Sequence, residues 1–230
     1  MKAIVTGATK GIGLAITRAL LDDGDQVFAV GRDMTLLENL PSYDGRLHLH
    51  TANLMNTDLQ TLARTAAKTM GGIDVLVNNA GITLSKNIEE TREEEWDRLM
   101  YLNARVPYFL SQAVIPYLKT HTRSFIIHIA SVVASKGYAG QSAYVASKHA
   151  LLGFSKSIAK EVQPHGIRVH VISPGGVATD MVGSVRPDID TQELIQPQEI
   201  ADIVRFLVSQ RGNAVIDEIQ VRRETKTPFA

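Results

Sequence analysis

The chain contains no cysteine. That excludes a disulfide framework, thiolate-held zinc and iron–sulfur sites, and thiol nucleophiles, and it suits a reducing compartment. Charge of one sign is lacking too: 24 Lys+Arg against 24 Asp+Glu leave a formal net charge of zero, so no global field draws the protein to nucleic acid. No apolar run approaches the roughly 20 residues that span a bilayer. Nor does a Pro/Ser-rich linker, a repeat or a low-complexity tract divide the 230 residues. Met1 to Gly7 passes straight into a strand-and-glycine pattern, leaving no room for a signal peptide. The expectation is one cytoplasmic domain over 1–230, large enough to bury a core without staples, with no nucleic-acid or membrane partner.

Short β-branched runs alternate with longer amphipathic stretches. Strands are expected at 3–5, 27–30, 47–49, 73–77, 125–129, 167–172 and 216–221, and helices at about 14–22, 57–69, 93–118, 142–162 and 197–209. Strand–helix–strand alternation calls for right-handed crossovers and a parallel sheet covered on both faces. The expected fold class is α/β: a Rossmann-like, doubly wound, mostly parallel seven-stranded sheet. Such sheets bind ligands beyond the carboxyl ends of their strands, which makes the irregular stretch 182–197 the expected substrate loop. Arg186 is its lone cation, so no basic patch for an acidic carrier is evident there. The acidic run Glu89, Glu90, Glu93, Glu94 and Glu95 reads as a solvated helix start.

Between the first strand and first helix lies Thr6-Gly7-Ala8-Thr9-Lys10-Gly11-Ile12-Gly13. Glycine there lets the backbone turn sharply and approach a pyrophosphate, while the helix N-terminus offers amide donors and a partial positive charge. The spacing is Gly-x-x-x-Gly-x-Gly. At the tip of the second strand, where an NAD site places a carboxylate for the ribose hydroxyls, stands Gly31, followed by Arg32. Arg32 and Lys10 together suit a 2′-phosphate, so the cofactor read from these residues is NADP(H). Asp33 either reaches a ribose or caps the helix beginning near Met34, and capping is the preferred reading.

Tyr144 and Lys148 are four apart within 142–162 and so share a helix face. A phenol with an ordinary pKa of about 10 is a poor acid–base at neutral pH, and a neighbouring ammonium would draw it down. Ser131 closes the strand 125–130, thirteen residues before Tyr144, where its hydroxyl can donate to the oxygen that the tyrosine protonates. Asn103 is a polar residue in an otherwise apolar helical stretch, and a lysine-bound water would supply its amide with a partner.

With these motifs in their order, the chain resembles the short-chain dehydrogenases/reductases in their compact single-domain form, over nearly its whole length. Thr6-Gly7-x-x-x-Gly11-Ile12-Gly13 matches the family's cofactor loop, and Asn78-Asn79-Ala80-Gly81 its fourth-strand motif. Asn103, Ser131, Tyr144 and Lys148 fall on its active-site residues, and Pro174-Gly175 with Val177 and Thr179 on its nicotinamide-side loop. The resemblance implies that Tyr144 is general acid in reduction and that Ser131 orients the carbonyl. It implies that Lys148 holds the nicotinamide ribose and that Asn103 positions a relay water. Thr9, Lys10, Arg32, Asn53, Leu54, Asn79, Ala80 and Gly81 would line the cofactor beside the glycines. Asn53 departs from the aspartate that many members carry. The ending Glu218-Ile219-Gln220-Val221-Arg222-Arg223 departs from that of tetrameric members, leaving dimer or tetramer open. The implied activity is reduction of a small ketone or aldehyde by NADPH, with a 3-oxoacyl thioester reductase or a non-catalytic NADP(H)-binding sensor or scaffold as alternatives.

The remaining candidates read as structural. His48 and His50 share a strand face but have no convergent third ligand, so no metal is expected. His128 and His170 read as satisfied core histidines. Trp96 reads as packing. Tyr138, in the loop after Ser131, is a candidate substrate contact.

Overall fold

The β-branched runs become strands because their side chains can be buried on both faces of one sheet. In a computed structural model that describes residues 1–40, 43–185, 190–210 and 212–228, these strands are β1 (Lys2–Thr6), β2 (Gln26–Gly31), β3 (Leu47–Thr51), β4 (Val75–Asn78), β5 (Ser124–Ile129), β6 (Ile167–Pro174) and β7 (Glu218–Val221). They run in the order β3-β2-β1-β4-β5-β6-β7, every pairing parallel. The order reverses direction between β1 and β4, and such a switch point opens a ligand crevice at the strands' carboxyl ends.

Helices α1 (Gly11–Asp22), α2 (Thr35–Glu38), α3 (Leu59–Met70), α4 (Glu93–Met100), α5 (Val106–Leu118), α6 (Ser142–Val162), α7 (Asp180–Val185) and α8 (Pro197–Ser209) make the crossovers. The pleat sorts the core into two layers. Val5, Val77 and Ile127 pack with Ile16, Leu20 and Val204 of α1 and α8, whereas Ile4, Leu76 and Ile126 pack on the other face with Leu62, Leu110 and Ile158 of α3, α5 and α6.

Three expectations are corrected. The single helix expected over 93–118 is interrupted by a π turn at Tyr101–Arg105, where the Val106 N–H bonds the Tyr101 carbonyl five residues back. Pro107 supplies the reason: it has no N–H for the carbonyl of Asn103, four residues earlier, and its ring crowds that carbonyl. The stretch 182–197 is less loose than expected. Its start lies in α7, and its end is tied to the segment after β6 by a Val177–Ile195 bridge, with Leu194 and Ile195 buried; Arg186 and Pro187 lie outside the described residues. His128 and His170 are only half satisfied. Nδ1 of His128 meets Asn78 at 3.3 Å and Nδ1 of His170 meets the Ile216 carbonyl at 2.6 Å, but neither Nε2 has a partner. Burial, with Lys148 nearby, pushes His128 down to about 3.

The acidic run is also more than a solvated start. Glu95 accepts from the Arg92 N–H at 3.1 Å at the start of α4 and pairs with Lys86 at 2.7 Å. Those hydrogen bonds hold its carboxyl down at about 2.

Candidate active site

β1 ends at Thr6 and turns into α1 through the glycine loop. Gly11 has φ +52°, and a Cβ there would stand 2.8 Å from Thr179 Cγ2. A Cβ on Gly13 would lie inside the van der Waals shell of the Gly7 carbonyl oxygen. Loop and helix therefore approach as closely as glycine allows, and α1 opens with no side-chain cap on its amides. Asn79 braces the turn from β4: its Nδ2 donates to the Thr6 and Gly7 carbonyls at 2.9 and 3.1 Å, and its backbone N–H donates to Thr6 Oγ1. That amide is thereby engaged with protein, while Ala80 and Gly81 continue along the cleft.

The cleft is a cavity of about 1350 Å³ at the carboxyl edge of the sheet. It takes in the cofactor loop, the β2 tip, Asn53 and Leu54, the segment 79–83, Ser131, Tyr138, Tyr144, Lys148, and Pro174 to Thr179. Most of the site residues read from the sequence thus line one space; Gly13 and Asn103 do not. At the β2 tip a Cβ on Gly31 would meet Thr9 Cγ2 at 2.5 Å, so no carboxylate side chain fits there while Thr9 keeps its place. Arg32 is exposed on the cavity wall. Asp33 accepts from the Thr35 N–H and Oγ1 at 3.0 and 2.6 Å, in agreement with the capping reading. Lys10 pairs with Asp180 at 3.1 Å, both side chains well exposed, and a pair so wet is easily exchanged for another anion. Asn53 turns its Oδ1 to the Met55 N–H.

Ser131 sits where β5 runs out, and its hydroxyl accepts from the Val133 N–H at 3.4 Å. The nearby Ser131 hydroxyl favours the Tyr144 phenolate, but burial is the larger effect and raises Tyr144 to about 12. The expectation that the ammonium draws the phenol down is corrected for this state. Lys148 is buried, its Nζ donates to the Ile129 carbonyl at 3.0 Å, and burial lowers it to about 8. Asn103 also differs from expectation, since protein groups rather than water satisfy its amide. Nδ2 donates to the Ile82 carbonyl at 2.8 Å and to Ser147 Oγ at 3.0 Å, and Oδ1 accepts from the Ile82 N–H at 2.9 Å. Asn103 so clamps the segment after β4 to α6, keeping Gly81 beside Lys148.

A sequence model of the family described as short chain dehydrogenase matches residues 1–190. The chain belongs to the short-chain dehydrogenases. Among curated relatives, the 3-oxoacyl-[acyl-carrier-protein] reductase FabG of Vibrio cholerae is 34% identical over 226 residues, covering 94% of this chain and 93% of the relative. Among solved structures, a metagenomic short-chain oxidoreductase in complex with NADP is 34% identical with a TM-score of 0.82, covering 96% of each chain. An alcohol dehydrogenase from the archaeon Thermococcus sibiricus, complexed with 5-hydroxy-NADP, is 26% identical with a TM-score of 0.89, covering 99% of this chain and 98% of the other. Membership makes the protein an oxidoreductase of a family that uses nicotinamide cofactors, and the glycine cradle fits such a group.

The sequence reading of this short-chain dehydrogenase missed one set of residues. Arg222, Arg223 and Lys226, just past β7, form part of the cavity wall. Their position beyond the carboxyl end of the last strand was the available signal. Among the described residues, no three His, Asp or Glu side chains converge on a metal site, and no helix is long and apolar enough to cross a membrane.

Proposed function

We propose that the protein is an NADPH-dependent carbonyl reductase acting on a small ketone or aldehyde, and on the alcohol in reverse. The observation that carries this reading is the placement of Ser131, Tyr144 and buried Lys148 in the same cavity as the glycine cradle. When bound, reduced nicotinamide supplies the hydride. Tyr144 holds the proton that passes to the carbonyl oxygen; at about 12 its phenol stays protonated at neutral pH, as a general acid requires. Ser131 donates to the same oxygen and fixes its position. Lys148 has two further N–H groups beyond the one on Ile129, available for a ribose hydroxyl and for the phenolate left by proton transfer. A relay through Asn103 would use its backbone carbonyl, because its side chain is engaged. Arg32, with Lys10 released from Asp180, supports NADPH over NADH. The same proposal has the protein work in the cytoplasm as a homodimer or tetramer; exposed Tyr108 on α5, packed edge-on against Phe154 of α6, offers apolar surface for pairing.

Tyr144→Phe tests the assignment. Carbonyl reduction falls by about 10³-fold, while the NADPH dissociation constant moves by less than about 3-fold; comparable turnover in the variant defeats it. A second reading, 3-oxoacyl thioester reductase, is supported by the 34% identity to a FabG. A spectrophotometric panel of ketones, aldehydes and acyl thioesters with each reduced nicotinamide separates the two.

A further inference from the structure

Arg223 is 9% exposed, yet its guanidinium makes no hydrogen bond or ion pair with any described residue. None of its nitrogens is sealed off: the side chain belongs to the wall of the cavity that holds Ser131 and Tyr144. An arginine keeps its charge, and a guanidinium whose N–H donors open onto a cavity is suited to an anion there. No described residue pairs an anion with it. Among the described residues of the cavity wall Asp180 is the only carboxylate, and it is paired with Lys10.

The placement is built rather than incidental. Val221 pairs with Pro174 across β6 and β7, and the Gly175 N–H bonds the Val221 carbonyl at 2.7 Å, so the turn after β7 is laid against Gly175 and Gly176. Gly176 has no side chain, and Arg223 Cδ and Nε run over that space, 3.8 and 3.9 Å from where a Cβ would stand. Arg222 fixes the turn from outside, donating to the carbonyls of Arg223, Glu224 and Lys226 at 3.1, 3.1 and 3.0 Å. A second cation, half-buried Lys136, has no ion pair with a described residue and stands on the loop between Ser131 and Tyr144. That loop is tied to β7 by Gln220 Nε2 donating to Ser135 Oγ at 3.4 Å.

From this geometry we infer that Arg223, aided by Lys136, binds a carboxylate carried by the substrate, so that the carbonyl compound reduced is a short oxo acid. The inference rests on the carbonyl-reductase reading and names its substrate class. Strands lie about 4.8 Å apart, which sets β7 roughly 10 Å from the Ser131 end of β5 and roughly 24 Å from the β2 tip with Arg32. A guanidinium on the cavity wall beside β7 is therefore placed for a carboxylate a few bonds from the reacting carbon, remote from the 2′-phosphate. The fork of Arg223 suits that group, since it can give two parallel N–H bonds to both oxygens.

The test compares 3-oxobutanoate with its methyl ester as substrates of the full chain with NADPH. Wild type favours the acid in kcat/KM by about 100-fold, Arg223→Gln brings the ratio near one through the KM of the acid, and Arg223→Lys keeps part of the preference. Calorimetry on the NADP+ complex gives a readout without turnover: butanoate binds wild type about 100-fold more tightly than Arg223→Gln, and butanamide shows no such difference. Equal use of acid and ester by wild type overturns the inference while leaving the carbonyl-reductase reading intact. A parallel loss of NADPH affinity in Arg223→Gln also overturns it, because the arginine would then serve the dinucleotide. If no carbonyl compound is reduced, the proposed function fails, and the butanoate titration still decides for or against Arg223. If Arg223→Gln does not fold, the wild-type acid-to-ester ratio and the Arg223→Lys titration decide.

Discussion

Replacing Gly31 with alanine places a Cβ 2.5 Å from Thr9 Cγ2, 3.2 Å from its Oγ1 and 3.4 Å from its Cβ. Carbon atoms in contact prefer about 3.5–4.0 Å. Threonine is stiff about χ1, so relief requires the glycine loop or the β2 tip to move. Overpacking of this kind costs about 1–3 kcal/mol, against which the alanine's smaller unfolded-state entropy returns about 0.4–1. Gly31→Ala alone should therefore lose about 1–2 kcal/mol in urea unfolding. Thr9→Ala removes the two nearest atoms and leaves only the 3.4 Å contact, and in that background Gly31→Ala becomes neutral or mildly stabilising. The cycle of four proteins should thus show a coupling of at least about 1 kcal/mol. Additivity within about 0.5 kcal/mol would mean that the two residues do not meet as described, and the steric account of the β2 tip would be wrong. Cofactor choice follows the same geometry. Gly31→Asp alone weakens NADPH and gains little NADH binding, because the carboxylate cannot settle at the tip, whereas Thr9→Ala with Gly31→Asp binds NADH more tightly than either single variant in fluorescence titration.

Two other outcomes are open to direct measurement. Arg32→Ala raises the NADPH dissociation constant by about 10–100-fold and that for NADH by less than about 3-fold, and equal losses would remove the phosphate role. His128 is neutral in the fold, with its pKa at about 3 against an ordinary 6.5, so between those values the unfolded chain binds more protons and stability falls as pH falls. From pH 7.5 to pH 5 that contributes a loss of about 2 kcal/mol, and a wild-type-minus-His128→Gln stability difference that stays constant over this range would refute it.

The fold was legible because central parallel strands are buried on both faces and read as unbroken apolar runs. β5, Ser-Phe-Ile-Ile-His-Ile, is fully buried and was placed to within one residue at its start. Helices α6 and α8 were bounded as found. β7 begins at Glu218 rather than Ile216, since an edge strand is held by one partner and its alternation does not say where that pairing starts. The break in 93–118 was announced by Pro107, but amphipathic periodicity runs through a π turn and conceals it. Ser131, Tyr144, Lys148 and the glycines were found because short spacing or order along the chain places them. Arg223 was not, because a long flexible side chain on an irregular tail gives no periodic signal, and its isolation is a property of its surroundings.

Spacing along α6 puts Tyr144 and Lys148 on one face, but the sign of the phenol's shift is a matter of how little water reaches it. Burial wins here, and the result makes the ammonium more necessary. A phenolate formed where the phenol is held at about 12 reverts at once unless a cation stands close. At an effective dielectric of about 20, a unit charge about 4 Å from a phenolate is worth about 4 kcal/mol. Lys148 can provide that only while protonated, and burial has already brought it to about 8, so the pair works on the acid side of that value. In the proposed carbonyl reduction, which consumes a proton, activity should therefore fall as the pH rises past about 8. Alcohol oxidation should gain rate as the pH rises toward 8 and the proton is more readily given up.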